Sequence, residues 1–372
     1  MNLSASAKQV LDKIYILLDK INFLLDKAAH HPVMDRIDNG LQMLKPEIIK
    51  AGCSRVARRI SKNAAVRAVI AYTDTQISRA ANSAAMRRLQ QYAILVRLNK
   101  PIGILLLLWP TMISLWIAAQ GWPDPLVLVV FVLGVILMRS AGCAINDYAD
   151  RDIDGSVART RDRPLVSGKV SETEALIIFV TLSICAFALV LLMNRLTIMM
   201  SLVGAVLAAS YPFMKRYHFL PQVHLGAAFG WTVPMAFTAQ ANELTPITWL
   251  LFLATVLWTT AYDTMYAMAD REDDLKIGVK STAILFGPLD KMIIGIIQAM
   301  LIMALLLIGQ RAELSGFYYT GVVAASVLAI WQQFLIKDRD PARCFNAFLN
   351  NNWFGLVLFI GLVLDYQFKG IT

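Results

Sequence analysis

From Pro101 onward the chain alternates long apolar runs with short polar connections. The runs fall at about 101–119, 124–145, 174–193, 196–214, 222–241, 246–268, 291–309, 315–336 and 351–366. Each comes close to the ~20 residues that a helix needs to cross a hydrocarbon core. The pattern therefore predicts an all-α membrane domain of nine transmembrane helices. The runs are continuously apolar rather than alternating, which excludes a β-barrel. Residues 1–88 follow another rule. Leu11-Asp12-Lys13, Leu18-Asp19-Lys20 and Leu25-Asp26-Lys27 repeat every seven residues, and Ile14, Ile21 and Ala28 complete the apolar a and d positions. Breaks follow at His31-Pro32 and Asn39-Gly40. From Ser54 to Ala85, Val56, Ile60, Val66, Val69 and Ile70 stand among Arg55, Arg58, Arg59, Lys62 and Arg67, the pattern of a basic amphipathic helix. Two parts result: residues 1–88, an amphipathic helical extension, and residues 89–372, the membrane domain. The extension packs on itself or on a second copy, docks on a membrane surface or partner, or is an appended segment.

Composition supports lipid as the main solvent. Of 372 residues, 57% are hydrophobic and only 16% charged, against roughly 25% charged in soluble domains. Residues 1–100 hold 17 Lys and Arg against 7 Asp and Glu, whereas residues 101–372 hold 18 against 19, so the formal net charge of +9 resides in the N-terminal part. That basicity suits anionic headgroups. No interleaved aromatics or finger spacings point to nucleic acid. The first 30 residues do not read as a signal peptide, because acids interrupt the apolar positions. Basic residues gather in alternate loops, around Arg97 and Lys100, Arg151 to Lys169, Lys215 and Arg216, Arg271 to Lys280, and Lys337 to Arg343. The opposite loops hold little beyond Arg195 and Arg311. This bias predicts a multi-pass membrane protein with the N-terminus and the charged loops cytoplasmic. Cys53, Cys143, Cys185 and Cys344 have no paired spacing, which argues against a disulfide framework or a thiolate metal site.

Two acidic clusters close apolar runs on that charged side. In the first, Asn146, Asp150 and Asp154 are spaced by four and line one helix face. In the second, Asp270 and Asp274 repeat the spacing. Each is followed by cations, Arg159, Arg161 and Arg163 in one case and Lys276 and Lys280 in the other. Stacked carboxylates repel one another unless a cation joins them. Mg²⁺ is a hard ion that takes carboxylate oxygens and shares its shell with substrate phosphates. Two such faces could hold Mg²⁺ around a diphosphate, with Arg and Lys on the remaining oxygens. The bland alternative is that charged loops only fix topology. Two matched clusters in so acid-poor a chain favour chemistry.

The residues also carry a resemblance. Asn146-Asp147-x-x-Asp150-x-x-x-Asp154 and Tyr262-Asp263-Thr264 through Asp274, with Lys280-Ser281-Thr282, resemble the two signatures of the UbiA superfamily of intramembrane prenyltransferases. Lys100-Pro101-Ile102-Gly103, Arg163-Pro164-Leu165, Tyr211-Pro212-Phe213-Met214-Lys215-Arg216 and Gly226 to Trp231 extend it, most closely toward the branch that prenylates 4-hydroxybenzoate for ubiquinone. It covers about residues 90–368. The resemblance implies a nine-helix bundle with a central cavity open to lipid. It implies that Asn146, Asp150, Asp154, Asp270 and Asp274 bind Mg²⁺–diphosphate, with Asp147 in the same motif but about 100° around the helix. It implies that Arg163 and Lys280 touch the diphosphate. Arg216 would hold the aromatic carboxylate, or else serve as a topology anchor beside Lys215. The implied substrates are polyprenyl diphosphate and 4-hydroxybenzoate.

The expected reaction ionises the allylic C–O bond, after which the ring carbon ortho to the phenol oxygen attacks the cation. Trp109, Tyr148, Phe213 and Trp231 are expected to rim a dry cavity, or else to be packing residues. His218 and His224 lack ligand partners at useful spacing and read as interfacial or core packing residues, with His224 a minor candidate for the cavity. Other readings are a related enzyme acting on a naphthoate or a haem, and a cation-coupled transporter. The transporter predicts acids at mid-span, whereas these clusters lie at span ends.

Overall fold

The computed structural model describes residues 84–155 and 160–368. The heptad repeat and nearly all of the basic amphipathic stretch lie outside them. Among the described residues the structure is entirely helical. A short helix α1 (Ala84–Leu95) leads into α2 (Ile102–Ala119), α3 (Pro125–Asp154), α4 (Glu172–Val190), α5 (Arg195–Tyr217), α6 (Pro221–Gly230), α7 (Thr232–Ala241) and α8 (Pro246–Ile277). A turn holding α9 (Thr282–Phe286) and a 3₁₀ segment (Gly287–Leu289) precedes α10 (Asp290–Arg311), α11 (Gly316–Leu335) and α12 (Pro341–Phe368).

Every expected apolar run coincides with helix, and six helices among the described residues are long and apolar enough to cross a membrane by length and composition. Three runs do not meet that measure. Helices α8 and α11 are long but diluted by polar residues. The run 222–241 is divided at Trp231 into α6 and α7. Pro234 explains the division. It has no N–H to donate to the carbonyl four residues earlier, and its ring crowds that turn.

The two longest helices outrun the bilayer. At ~1.5 Å per residue, the 30 residues of α3 and the 32 of α8 reach ~45–48 Å, well beyond a ~30 Å hydrocarbon core. The excess at their C-terminal ends is where both acidic clusters stand. Gly278, with φ +73°, ends α8 in a left-handed turn suited to glycine.

The interior is aromatic and aliphatic, built around Leu106, Trp116, Phe131, Trp258, Tyr262 and Phe354. Buried amides tie the helices together where water is absent. The Gln298 amide donates to Gln332, which donates to Asn350, and Trp258 donates to Asn351. Helices α11 and α12 meet through Gly321 and Gly361; a Cβ on Gly321 would lie 2.9 Å from the Val357 carbonyl. By contrast α4 buries only Ala175 and Ala186, and α5 only Thr197 and Pro212. Their large apolar side chains, such as Ile184 and Val206, are exposed, as expected of surfaces wetted by lipid.

Candidate active site between two acidic helix ends

A cavity of about 880 Å³ runs between the ends of α3 and α8 and down into the apolar body. Asn146, Asp147, Asp150 and Asp154 line it from one side, and Asp263, Asp270 and Asp274 from the other. Below the charges its walls are Phe131, Phe179, Phe187, Phe229 and Trp231. A polar mouth above an apolar shaft suits a molecule with a charged head and a hydrocarbon tail.

The α3 end is buried and neutralised by the chain's own cations. Asp147, Asp150 and Asp154 are each at most 5% exposed. The Asn146 amide donates to Asp150 across one helical turn at 3.2 Å. Lys215 pairs with Asp150 at 2.6 Å. Arg97 and Arg163 both reach Asp147, at 2.8 and 3.1 Å, and Arg163 also binds Asp154. Asp147 is therefore part of the site even though it sits a third of a turn from Asn146. Two carboxylate oxygens, Asp147 Oδ2 and Asp150 Oδ1, remain buried without a hydrogen-bond partner.

At the α8 end Asp270 and Asp274 are partly buried. After Gly278 the chain turns back, so that Lys280 and Ser281 also line the cavity. The Lys280 amide donates to the Lys215 carbonyl, and its ammonium donates to the Tyr217 carbonyl at 3.0 Å. Thr282 is fixed by Gln222 through its amide and by Thr264 through its hydroxyl.

Not every expected residue reaches the cavity. Arg216 is exposed, donates to the Ala149 carbonyl and is absent from the lining. Its neighbour Lys215 takes the inward face, and successive helical residues diverge by about 100°. The cation deeper in the cavity is Arg139, two turns below Asn146 on the same face. Its guanidinium donates to Cys143 Sγ at 3.2 Å and lies 5.8 Å from the Phe229 ring centre, and its Nε is buried without a partner. Gly103 makes room for it, since a Cβ there would stand 2.5 Å from Arg139 Nε. Asp263 and Tyr211 line the same region. An Arg inside an apolar run, seven residues before a motif, was the available signal for it.

Of the four aromatics expected at the rim only Trp231 lines the cavity. Trp109 donates to Asn352, and Tyr148 stacks under Arg151 at 4.5 Å. His218 accepts from the Leu220 amide and His224 meets Ser210, both as packing residues.

The donor set suits a hard divalent cation. It is composed of oxygens, and two of them are buried and unsatisfied. No three acids among the described residues converge on a single point. One or two carboxylates plus substrate phosphate is the usual protein share of a Mg²⁺ shell.

Comparison with known proteins points to one family. A family model described as the UbiA prenyltransferase family matches residues 107–359. A 4-hydroxybenzoate octaprenyltransferase of Alkalilimnicola ehrlichii is 60% identical over 283 residues, which is 76% of this chain and 97% of that protein. One from Marinobacter nauticus is 57% identical over 282 residues, 76% of this chain and 96% of its own. Among solved structures, the apo form of a UbiA homolog from Aeropyrum pernix is 25% identical with a TM-score of 0.63, covering 70% of this chain and 97% of its own. A UbiA homolog from Archaeoglobus fulgidus bound to GPP and Mg²⁺ shares the fold at 19% identity and a TM-score of 0.59, over 74% of this chain and 99% of its own.

Proposed function

This chain belongs to the UbiA prenyltransferase family, and from that premise we propose that it transfers a polyprenyl group from polyprenyl diphosphate to the ring of 4-hydroxybenzoate in ubiquinone synthesis. The observation that carries the reading is the cavity itself, with acids and cations at its mouth, an apolar shaft and one deep guanidinium.

Asn146, Asp150 and Asp154 with Asp270 and Asp274 are the residues that would hold Mg²⁺. When bound, the ion supplies positive charge against the departing diphosphate. Arg163, Lys215 and Lys280 already stand at the mouth. On substrate binding Arg163 and Lys215 exchange carboxylate partners for phosphate oxygens, which leaves the acids free to act as ligands, and Lys280 turns from the Tyr217 carbonyl to the same oxygens. As the allylic C–O bond breaks, its electron pair leaves with the diphosphate, and these cations stabilise that charge. The prenyl chain lies in the aromatic shaft, where water that would quench the cation is excluded. Arg139 holds the acceptor carboxylate, a role that fits a planar fork better than the exposed Arg216 does. The ring carbon ortho to the phenol oxygen attacks, and loss of its proton restores aromaticity. The transferase portion is residues 89–372 of a multi-pass membrane protein in the bacterial inner membrane, with its charged loops cytoplasmic. Deleting residues 1–88 and assaying turnover separates a docking or self-association role for them from a catalytic one.

Membranes supplied with radiolabelled 4-hydroxybenzoate, a long prenyl diphosphate and Mg²⁺ should yield a lipid-extractable aromatic product that EDTA abolishes. Failure with every prenyl length would overturn the acceptor assignment.

A further inference from the structure

Asp290 lies outside the cavity, at the first residue of α10, and is fully buried. Two guanidiniums converge on it. Arg271, which stands between Asp270 and Asp274 on α8, reaches it at 2.8 Å. Arg339, from the connection between α11 and α12, reaches it at 2.8 Å with further bonds near 3.0 Å. Each guanidinium also grips the turn that precedes Asp290. Arg271 donates to the carbonyls of Ala283 and Gly287, and Arg339 to that of Pro288. Arg339 itself holds a left-handed backbone, φ +57°, a conformation a non-glycine residue keeps only when its surroundings enforce it.

The assembly is more than a helix cap. Carboxylate, guanidiniums and turn carbonyls join the acid-bearing end of α8 to the segment that returns Lys280 and Ser281 to the cavity. None of Arg271, Asp290 and Arg339 lines that cavity. We infer that Asp290 is a positioning residue for the diphosphate-binding half of the site, fixing the separation of Asp270 and Asp274 from Lys280 through Arg271 and the turn. The inference rests on the function proposed above.

A comparable buried carboxylate gives the control. Asp365, near the other end of α12, is also fully buried and accepts from the Ser315 and Tyr318 amides and the Ser315 hydroxyl. It is far from the acidic ends in the chain's topology. Asp290→Asn should raise KM for prenyl diphosphate by about tenfold or more, the usual penalty for disturbing a ligand's support, with KM for the aromatic acid unchanged. Arg339→Ala should do the same, and Arg339→Lys should recover part of it. Asp365→Asn should lower thermal stability in detergent and leave both KM values unchanged.

A second readout does not need turnover. Inorganic pyrophosphate with Mg²⁺ should protect the parent protein from tryptic cleavage after Lys276, which is exposed. In Asp290→Asn that protection should require about tenfold more pyrophosphate. Equal protection in Asp290→Asn and the parent would overturn the positioning role, as would a KM rise shared by both substrates. A parent protein that pyrophosphate fails to protect would overturn the functional reading beneath it.

Discussion

At the end of α3 three carboxylates are buried, and each carries a cation brought from elsewhere in the chain. At the end of α8, Asp270 and Asp274 are only partly buried, and the guanidinium between them turns away to Asp290. The two ends share a four-residue acid spacing yet are held in opposite ways. Like charges packed at low dielectric must be neutralised. The α3 end does so with Arg97, Arg163 and Lys215. The α8 end leaves its acids nearer to water and fixes their backbone from behind. One end is therefore set by ion pairs within the cavity and the other by a buried carboxylate behind it.

The largest test of that division removes the acids themselves. Asp150→Ala and Asp270→Ala should each lower Mg²⁺-dependent turnover by about 10²–10³, as expected when a charge-stabilising contact is lost. Full activity in either variant would break the claim that both ends serve one site. The next test separates the ends. Arg163→Ala strands Asp154 and weakens the hold on Asp147, so it should destabilise the protein by about 3 kcal/mol, read as thermal unfolding in detergent. Lys280→Ala should raise KM for the prenyl diphosphate with little loss of stability, because among the described residues its ammonium meets the Tyr217 carbonyl and the Phe219 ring and no carboxylate. Arg139→Ala should raise KM for 4-hydroxybenzoate by about tenfold or more, the worth of a charged hydrogen bond, and leave KM for prenyl diphosphate alone. The smallest effect belongs to Arg216→Ala, whose KM for the aromatic acid should stay within about twofold of the parent. A larger rise would return the carboxylate role to Arg216.

Much of this plan was legible in the sequence. Spacing by four placed Asn146, Asp150 and Asp154 on one face, and the apolar runs located all six helices that, among the described residues, are long and apolar enough to cross a membrane. What spacing does not carry is which face meets which neighbour. Lys215 and Arg216 are equivalent as letters, and only the rotation of α5 about its axis decides which of them enters the cavity. The roles of Arg139 and Asp290 depend on chain segments far away in sequence, Gly103 for one and Arg339 for the other. The break at Trp231 was readable from Pro234, but the apolar run around it concealed the signal.

The scant burial of α4 and α5 bears on how the protein behaves once extracted. These two helices have few interior anchors of their own, so the surrounding acyl chains complete the wall of the molecule on that side. Detergents with short tails replace that wall poorly. Activity lost on solubilisation should then return when the protein is placed in nanodiscs, without any refolding of the tightly packed α8, α11 and α12.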